Sequence, residues 1–198
     1  MKLSEDAEYS STLQRLMSVS PSLSRRRPEP ARAGDGAGHA FRDPGDAVAL
    51  LCAPPSPGGG GGEGAPQGKR RGPDAGGSPV EACLRDPAAG DLFCSVRRCD
   101  GAGLAPCLAE SCLAGGRGAL LTLDGLDAMH EPHGLLFDEG CDWVVVSLPK
   151  ERLGDLDALA ARHGVMLHYL GMVGGDRLVL SNCHRVLVDI RVAEMETG

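Results

Sequence analysis

The stretch Trp143-Val144-Val145-Val146-Ser147-Leu148 constrains the fold of this chain more than any other. It is a strand, and its near-continuous apolar character implies burial on both faces, unlike the alternation of a strand with one wet side. Pro149 ends it and opens a helix over 150–163, where Leu153, Leu156, Leu159 and Ala160 fall at helical spacing and Gly164 supplies the left-handed cap. Upstream, Leu92 to Val96 reads as a short strand and Leu104 to Ala114 as a helix with Leu104, Cys107, Leu108 and Cys112 on one face, stopped by Gly115-Gly116. Gly118 to Leu123 is a further strand. Downstream, Val165 to Met172, Arg177 to Leu180 and Val186 to Ile190 are strands. Gly174-Gly175-Asp176 lies between the first two of these and favours a tight hairpin, because glycine accepts positive φ and aspartate bonds its own backbone. This element order predicts an α/β (α+β) domain, a mixed β-sheet with helices packed on one face.

Composition sets the limits of that domain. Glycine (29 residues) and proline (14) are abundant and aromatics make up only 3% of the chain, so much of it has little to bury. Residues 1–39 read as a disordered Gly/Pro-rich tail, in which Leu13, Leu16 and Met17 form a modest helical face that Pro21 ends. Residues 40–52 hold the turn signal Asp43-Pro44-Gly45-Asp46 and the apolar run Ala47 to Cys52, which reads as an isolated strand. Residues 53–79, with Pro54-Pro55 and the run Gly58 to Gly62, read as a linker. A glycine run that cradles phosphate needs a flanking strand and a helix directly after it, and neither follows here. That leaves 80–198 as the ordered domain.

A net charge of −7 argues against a nucleic-acid partner, which calls for a basic face. No apolar run approaches the ~20 residues of a membrane-spanning helix, and the N-terminus lacks the apolar core of a secretory signal. The expectation is a cytoplasmic protein with no membrane partner, its eight cysteines reduced.

Cys94, Cys99, Cys107 and Cys112 resemble a metal set, but Cys107 and Cys112 lie about 140° apart around a helix, which favours buried or free thiols. His130 and His133 are separated by Pro132, which breaks the helix that would align them, and the adjacent pair Cys183-His184 is poorly placed for a thiolate–imidazole couple. The loop Arg97-Arg98-Cys99-Asp100-Gly101-Ala102-Gly103 has more to offer. A glycine-rich turn between a strand and a helix presents backbone N–H groups at the positive end of the helix dipole, and two arginines beside it can pair with a phosphate. The alternative is a solvated loop.

Four segments, in order, carry a resemblance. They are Gly103-Leu104-Ala105-Pro106-Cys107-Leu108-Ala109-Glu110, then Ala114-Gly115-Gly116-Arg117-Gly118-Ala119, then Leu136-Phe137-Asp138-Glu139 followed by Val144 to Leu148, and finally Gly171-Met172-Val173-Gly174-Gly175-Asp176-Arg177-Leu178. Together they resemble the C-terminal domain of phosphoribosylformylglycinamidine synthase (formylglycinamide ribonucleotide amidotransferase), of the PurM-like, aminoimidazole ribonucleotide (AIR) synthase-related family. Phe41 to Leu51 resembles the last strand of the ATP-type domain that precedes it in that family. The resemblance implies a PurM-like C-terminal fold and a role in purine biosynthesis. In complete relatives that role is the ATP-dependent amidation of formylglycinamide ribonucleotide, with ATP and Mg as cofactors.

The resemblance also sets the site expectations. The family's cleft loop reads His-Asp-x-Ser-Asp-Gly-Gly, and Arg97 to Gly103 stands in its place, with its histidine and both acids displaced. The substrate- or phosphate-binding set is therefore Arg97, Arg98, Asp100, Gly101, Gly103 and Glu139, with no catalytic residue and no metal ligand assigned. The family's ATP-type domain is expected to be missing, so the chain is ligase-like without being active alone, and no cofactor is expected for it alone. Its partner would be a chain carrying the ATP-type domain, or another synthase subunit. Two alternatives stay open: a non-catalytic interaction domain derived from the family, and a cysteine-based metal-binding module.

Overall fold

The computed structural model describes residues 38–54, 78–99, 103–126, 136–137 and 143–195. Residues 1–37 of the expected tail, most of the expected linker, and His130 and His133 lie outside the described residues.

Trp143–Leu148 is strand β4, with all six residues buried. It needs neighbours on both sides, and it has them. The strands in chain order are β1 (Ala47–Cys52), β2 (Ser95–Arg98), β3 (Ala119–Thr122), β4, β5 (Met166–Val173), β6 (Arg177–Asn182) and β7 (Arg185–Arg191). They form one seven-stranded sheet in the order β2-β4-β1-β5-β3-β6-β7. Every pairing is antiparallel except β3 with β6, so the sheet is mixed, as expected.

The strand at 40–52 is not isolated. β1 pairs with β4 on one side and with β5 on the other, and its six residues are all buried. Its apolar run has the same cause as that of β4, because a central strand has no wet face. The segment ahead of it belongs to the domain too. Gly38 bridges to Ser95 at the edge of the sheet, and the Phe41 N–H donates to the Ser111 carbonyl.

Among the described residues the helices packed on the sheet are α1 (Pro79–Arg85), α2 (Leu104–Gly115), α3 (Leu153–His163) and α4 (Val192–Met195). They cover both faces of the sheet rather than the single face expected. Val48, Leu50, Val145, Leu121, Leu178 and Ile190 pack with Leu104, Leu108 and Cys112 of α2 and with Val192 and Met195 of α4. The alternate residues Ala49, Leu51, Val144 and Val146 pack with Val80 and Cys83 of α1 and with Leu156 and Leu159 of α3. The period of two along β1 and β4 divides the core in this way. Beyond β5, on the second face, Leu120, Tyr169 and Met172 are exposed.

The expected hairpin is also absent from its predicted place. β5 and β6 are not neighbours, because β3 lies between them. The tight hairpin joins β6 to β7 instead, through Cys183 and His184 at φ 47° and 65°. Two positive φ values define a type I′ turn, which normally takes Asn-Gly. Each non-glycine residue there costs about 1 kcal/mol. Replacing the pair with Asn-Gly is expected to stabilise the domain by about 1 kcal/mol in a thermal melt. An unchanged or lowered melting temperature would show that the turn carries no such strain.

Candidate functional site

The expected site begins on β2, which runs two residues further than its sequence suggested. Arg97 and Arg98 are therefore strand residues and point to opposite faces. Arg97 stands opposite Val145, on the α2 side of the sheet, and Arg98 opposite Val144, on the α1 and α3 side. Each meets a carboxylate there. Arg97, whose side chain is only 13% exposed, pairs with Glu110 of α2 and donates from Nε to the His39 carbonyl at 3.4 Å. Arg98 pairs with Glu81 of α1, which also holds Arg85. Two guanidinium groups on opposite sides of a sheet cannot grip one phosphate together.

Glu110 shows what Arg97 does here. Burial raises the Glu110 carboxyl above its ordinary range, while the charges of Arg97 and His39 pull it back. Arg97 thus keeps a desolvated carboxylate ionised. Arg97→Met is expected to cost about 1–2 kcal/mol at neutral pH, less than a fully buried pair because both partners keep some water. A glutamate with a raised pKa weighs against the fold only once it ionises, so the variant's deficit should shrink as pH falls toward ~4.5. Urea melts at the two pH values check this, and a deficit independent of pH would assign the loss to packing instead.

Asp100, Gly101 and Glu139 lie outside the described residues. Gly103 precedes α2 at φ 89°, and a Cβ there would run into the backbone of Leu136 and Phe137. It seats the start of the helix against that segment.

The cysteines do not gather as a set among the described residues. Cys99, Cys107 and Cys112 are buried in the α2-side core, and desolvation pushes the Cys112 thiol up to about 12. Cys94 lies instead with Asp43 and Asp46, one potential ligand atom from each falling within 4.8 Å of the others. Sequence reasoning missed that grouping, because the two aspartates belong to a turn distant in the chain. Cys183 and His184 occupy the exposed turn, where the Cys183 N–H donates to Asp124 Oδ1 at 2.6 Å. That bond, with one from Thr122, holds the Asp124 carboxyl below its usual value.

A seven-stranded mixed sheet with this strand content and these helices has the PurL/PurM-like, AIR synthase-related fold. The particular relatives are subunits of one enzyme. The chain is 35% identical over 117 residues to phosphoribosylformylglycinamidine synthase subunit PurL of Thermomicrobium roseum, spanning 59% of this chain and 15% of that one. It is 42% identical over 113 residues to the same subunit of Thermobifida fusca, spanning 57% and 14%. Among solved structures, PurLQS from Thermotoga maritima aligns with a TM-score of 0.63 at 13% identity, covering 81% of this chain and 27% of that one. T. maritima PurL complexed with ATP aligns at 0.60 and 14% identity, covering 81% and 27%. No family model matches. The chain thus contains a PurL-related, AIR synthase-like domain, and it spans about 15% of the length of the curated relatives it matches. Among the described residues no helix is long and apolar enough to cross a membrane.

Proposed function

We propose that this chain supplies the C-terminal, PurM-like domain of a phosphoribosylformylglycinamidine synthase, as a fragment or divergent subunit acting in cytoplasmic purine biosynthesis and inactive alone. The observation that carries this reading is the 35% identity to PurL over 117 residues. The chain accounts for 15% of that relative, which leaves the ATP-type domain to another polypeptide or another part of a longer one. The exposed apolar residues Leu120, Tyr169 and Met172 offer surface that a partner chain would cover.

Among the described residues, Arg97 and Arg98 do not make a phosphate site by themselves. Phosphoryl transfer depends on positioning and on charges aimed at the nucleotide and its magnesium. Here the positive charges of Arg97 and Arg98 are committed to Glu110 and Glu81 on opposite faces. Those same ion pairs favour a second reading, a non-catalytic interaction domain derived from the family.

Calorimetric titration with ATP and with formylglycinamide ribonucleotide separates the readings, run with and without a chain carrying the ATP-type domain. The expected result is no heat from the chain alone, with heat and turnover once the partner is present. No heat and no turnover in either case would sink the subunit reading. Capture of an intact synthase without turnover would establish the second.

A further inference from the structure

Asp43 and Asp46 flank a Pro-Gly turn at the start of β1, closed by the Asp46 N–H donating to the Asp43 carbonyl at 3.2 Å. The turn is tied to the end of β5. Gly45 N–H donates to the Val173 carbonyl and Val173 N–H to the Asp46 carbonyl, both at 2.9 Å. Cys94 lies just ahead of β2 and is tied to β4, its N–H donating to the Ser147 carbonyl at 2.8 Å. The backbone thus brings two carboxylates and a thiol together at one end of the sheet.

Asp46 is the unusual member. It is 7% exposed, and its Oδ2 is buried without a hydrogen-bond partner among the described residues. Among the described residues the Cys94 thiol hydrogen-bonds to its carboxyl, and the acidic side chains of Asp43 and Glu151 act on it as like charges. A buried carboxylate with an oxygen that finds no hydrogen bond among the described residues is costly, and a bound cation would remove that cost.

We infer that Asp43, Asp46 and Cys94 form a binding site for a divalent transition-metal ion of the zinc type, with two carboxylate oxygens and one thiolate as ligands and a further position open to water. A thiolate in the set selects against magnesium and calcium, which prefer oxygen donors alone. Ligand atoms on one tetrahedral zinc lie roughly 3.5 Å apart, so modest closure is needed, and the exposed Asp43 side chain is free to supply it. The ion replaces the Cys94 thiol proton, which passes to solvent, and it cross-links the β1 turn to the approach to β2.

Cobalt reports on this site directly. Metal-free, reduced full-length chain titrated with Co²⁺ should develop a thiolate-to-cobalt charge-transfer band that saturates at one equivalent. Cys94→Ser should abolish the band, and Asp46→Asn should weaken binding by about tenfold or more. Zinc should raise the melting temperature of the native chain but not that of Asp46→Asn. Without metal, Asp46→Asn should melt above the native chain, because it removes the unpaired buried carboxylate. Asp46→Asn adds no bulk, so it carries the test if Cys94→Ser folds poorly. No band at one equivalent, a band that survives Cys94→Ser, or equal zinc stabilisation of the native chain and Asp46→Asn would each overturn the site.

Discussion

A chain that begins at Ser78 is expected not to fold. Such a chain keeps six of the seven strands but loses β1, which pairs with both β4 and β5 at the centre of the sheet. The two strands left behind do not touch otherwise, so the sheet would split into β2-β4 and β5-β3-β6-β7. Val48, Leu50 and Leu51 are fully buried, and burying side chains of this kind is worth about 1.5–3 kcal/mol each. Their loss alone approaches the whole stability of an ordinary domain, about 5–15 kcal/mol. The truncated chain should show no cooperative thermal transition and should bind a hydrophobic dye. Leu50→Ala in the full chain gives the graded version, an expected loss of about 3 kcal/mol in urea. If the truncated chain melts cooperatively at the temperature of the full one, β1 is dispensable and the sheet order is wrong.

That experiment bears on what was legible in the sequence. The apolar run at 47–52 was read as a strand, and correctly, but its partners could not be read. They lie about a hundred residues downstream, past a Gly/Pro-rich stretch that looked like a domain boundary. Trp143 to Leu148 has no polar alternation, which already demands cover on both faces, whereas helices on one face would have left half of β4 wet. The hairpin was misplaced because composition pointed to Gly174-Gly175, while the turn that closes one is built from Cys183 and His184. Neither residue advertises positive φ.

At the candidate site a boundary error of two residues changed the chemistry. With the strand ending at Val96, Arg97 and Arg98 fall in a loop and can converge on an anion. With the strand running to Arg98, alternation sends them to opposite faces. Their partners Glu110 and Glu81 sit on two different helices, and no local pattern links them to β2. The Asp43–Asp46–Cys94 grouping is more remote still, because it exists only once β1, β2, β4 and β5 are laid side by side.

Gly118→Ala is expected to be among the most damaging single-methyl changes in the chain. The connection from β5 to β6 must step across β3, and it does so over the residue that enters β3. Gly174 N–H donates to the Gly118 carbonyl at 2.8 Å, and Gly118 N–H donates to the Gly175 carbonyl at 3.0 Å. A Cβ on Gly118 would overlap the backbone N, C and O of Arg177, which no side-chain rotation can relieve. Either the crossing lifts and both hydrogen bonds fail, or β3 withdraws from β6. The expected loss is about 3 kcal/mol or more, with a fall in melting temperature on the order of 10 °C. Two neighbours calibrate the result. Gly116→Ala meets nothing but must hold φ at 62°, so it should cost about 1 kcal/mol. Gly174→Ala also meets nothing and needs no positive φ, so it should stay within about 0.5 kcal/mol. If Gly118→Ala is tolerated as well as Gly174→Ala, the chain does not cross β3 at this distance. If the three fall in the stated order, the Ala114–Ala119 segment owes Gly118 to the strand crossing above it and Gly116 to its left-handed helix cap, and the Gly-Gly pair at 174–175 marks that crossing rather than a hairpin.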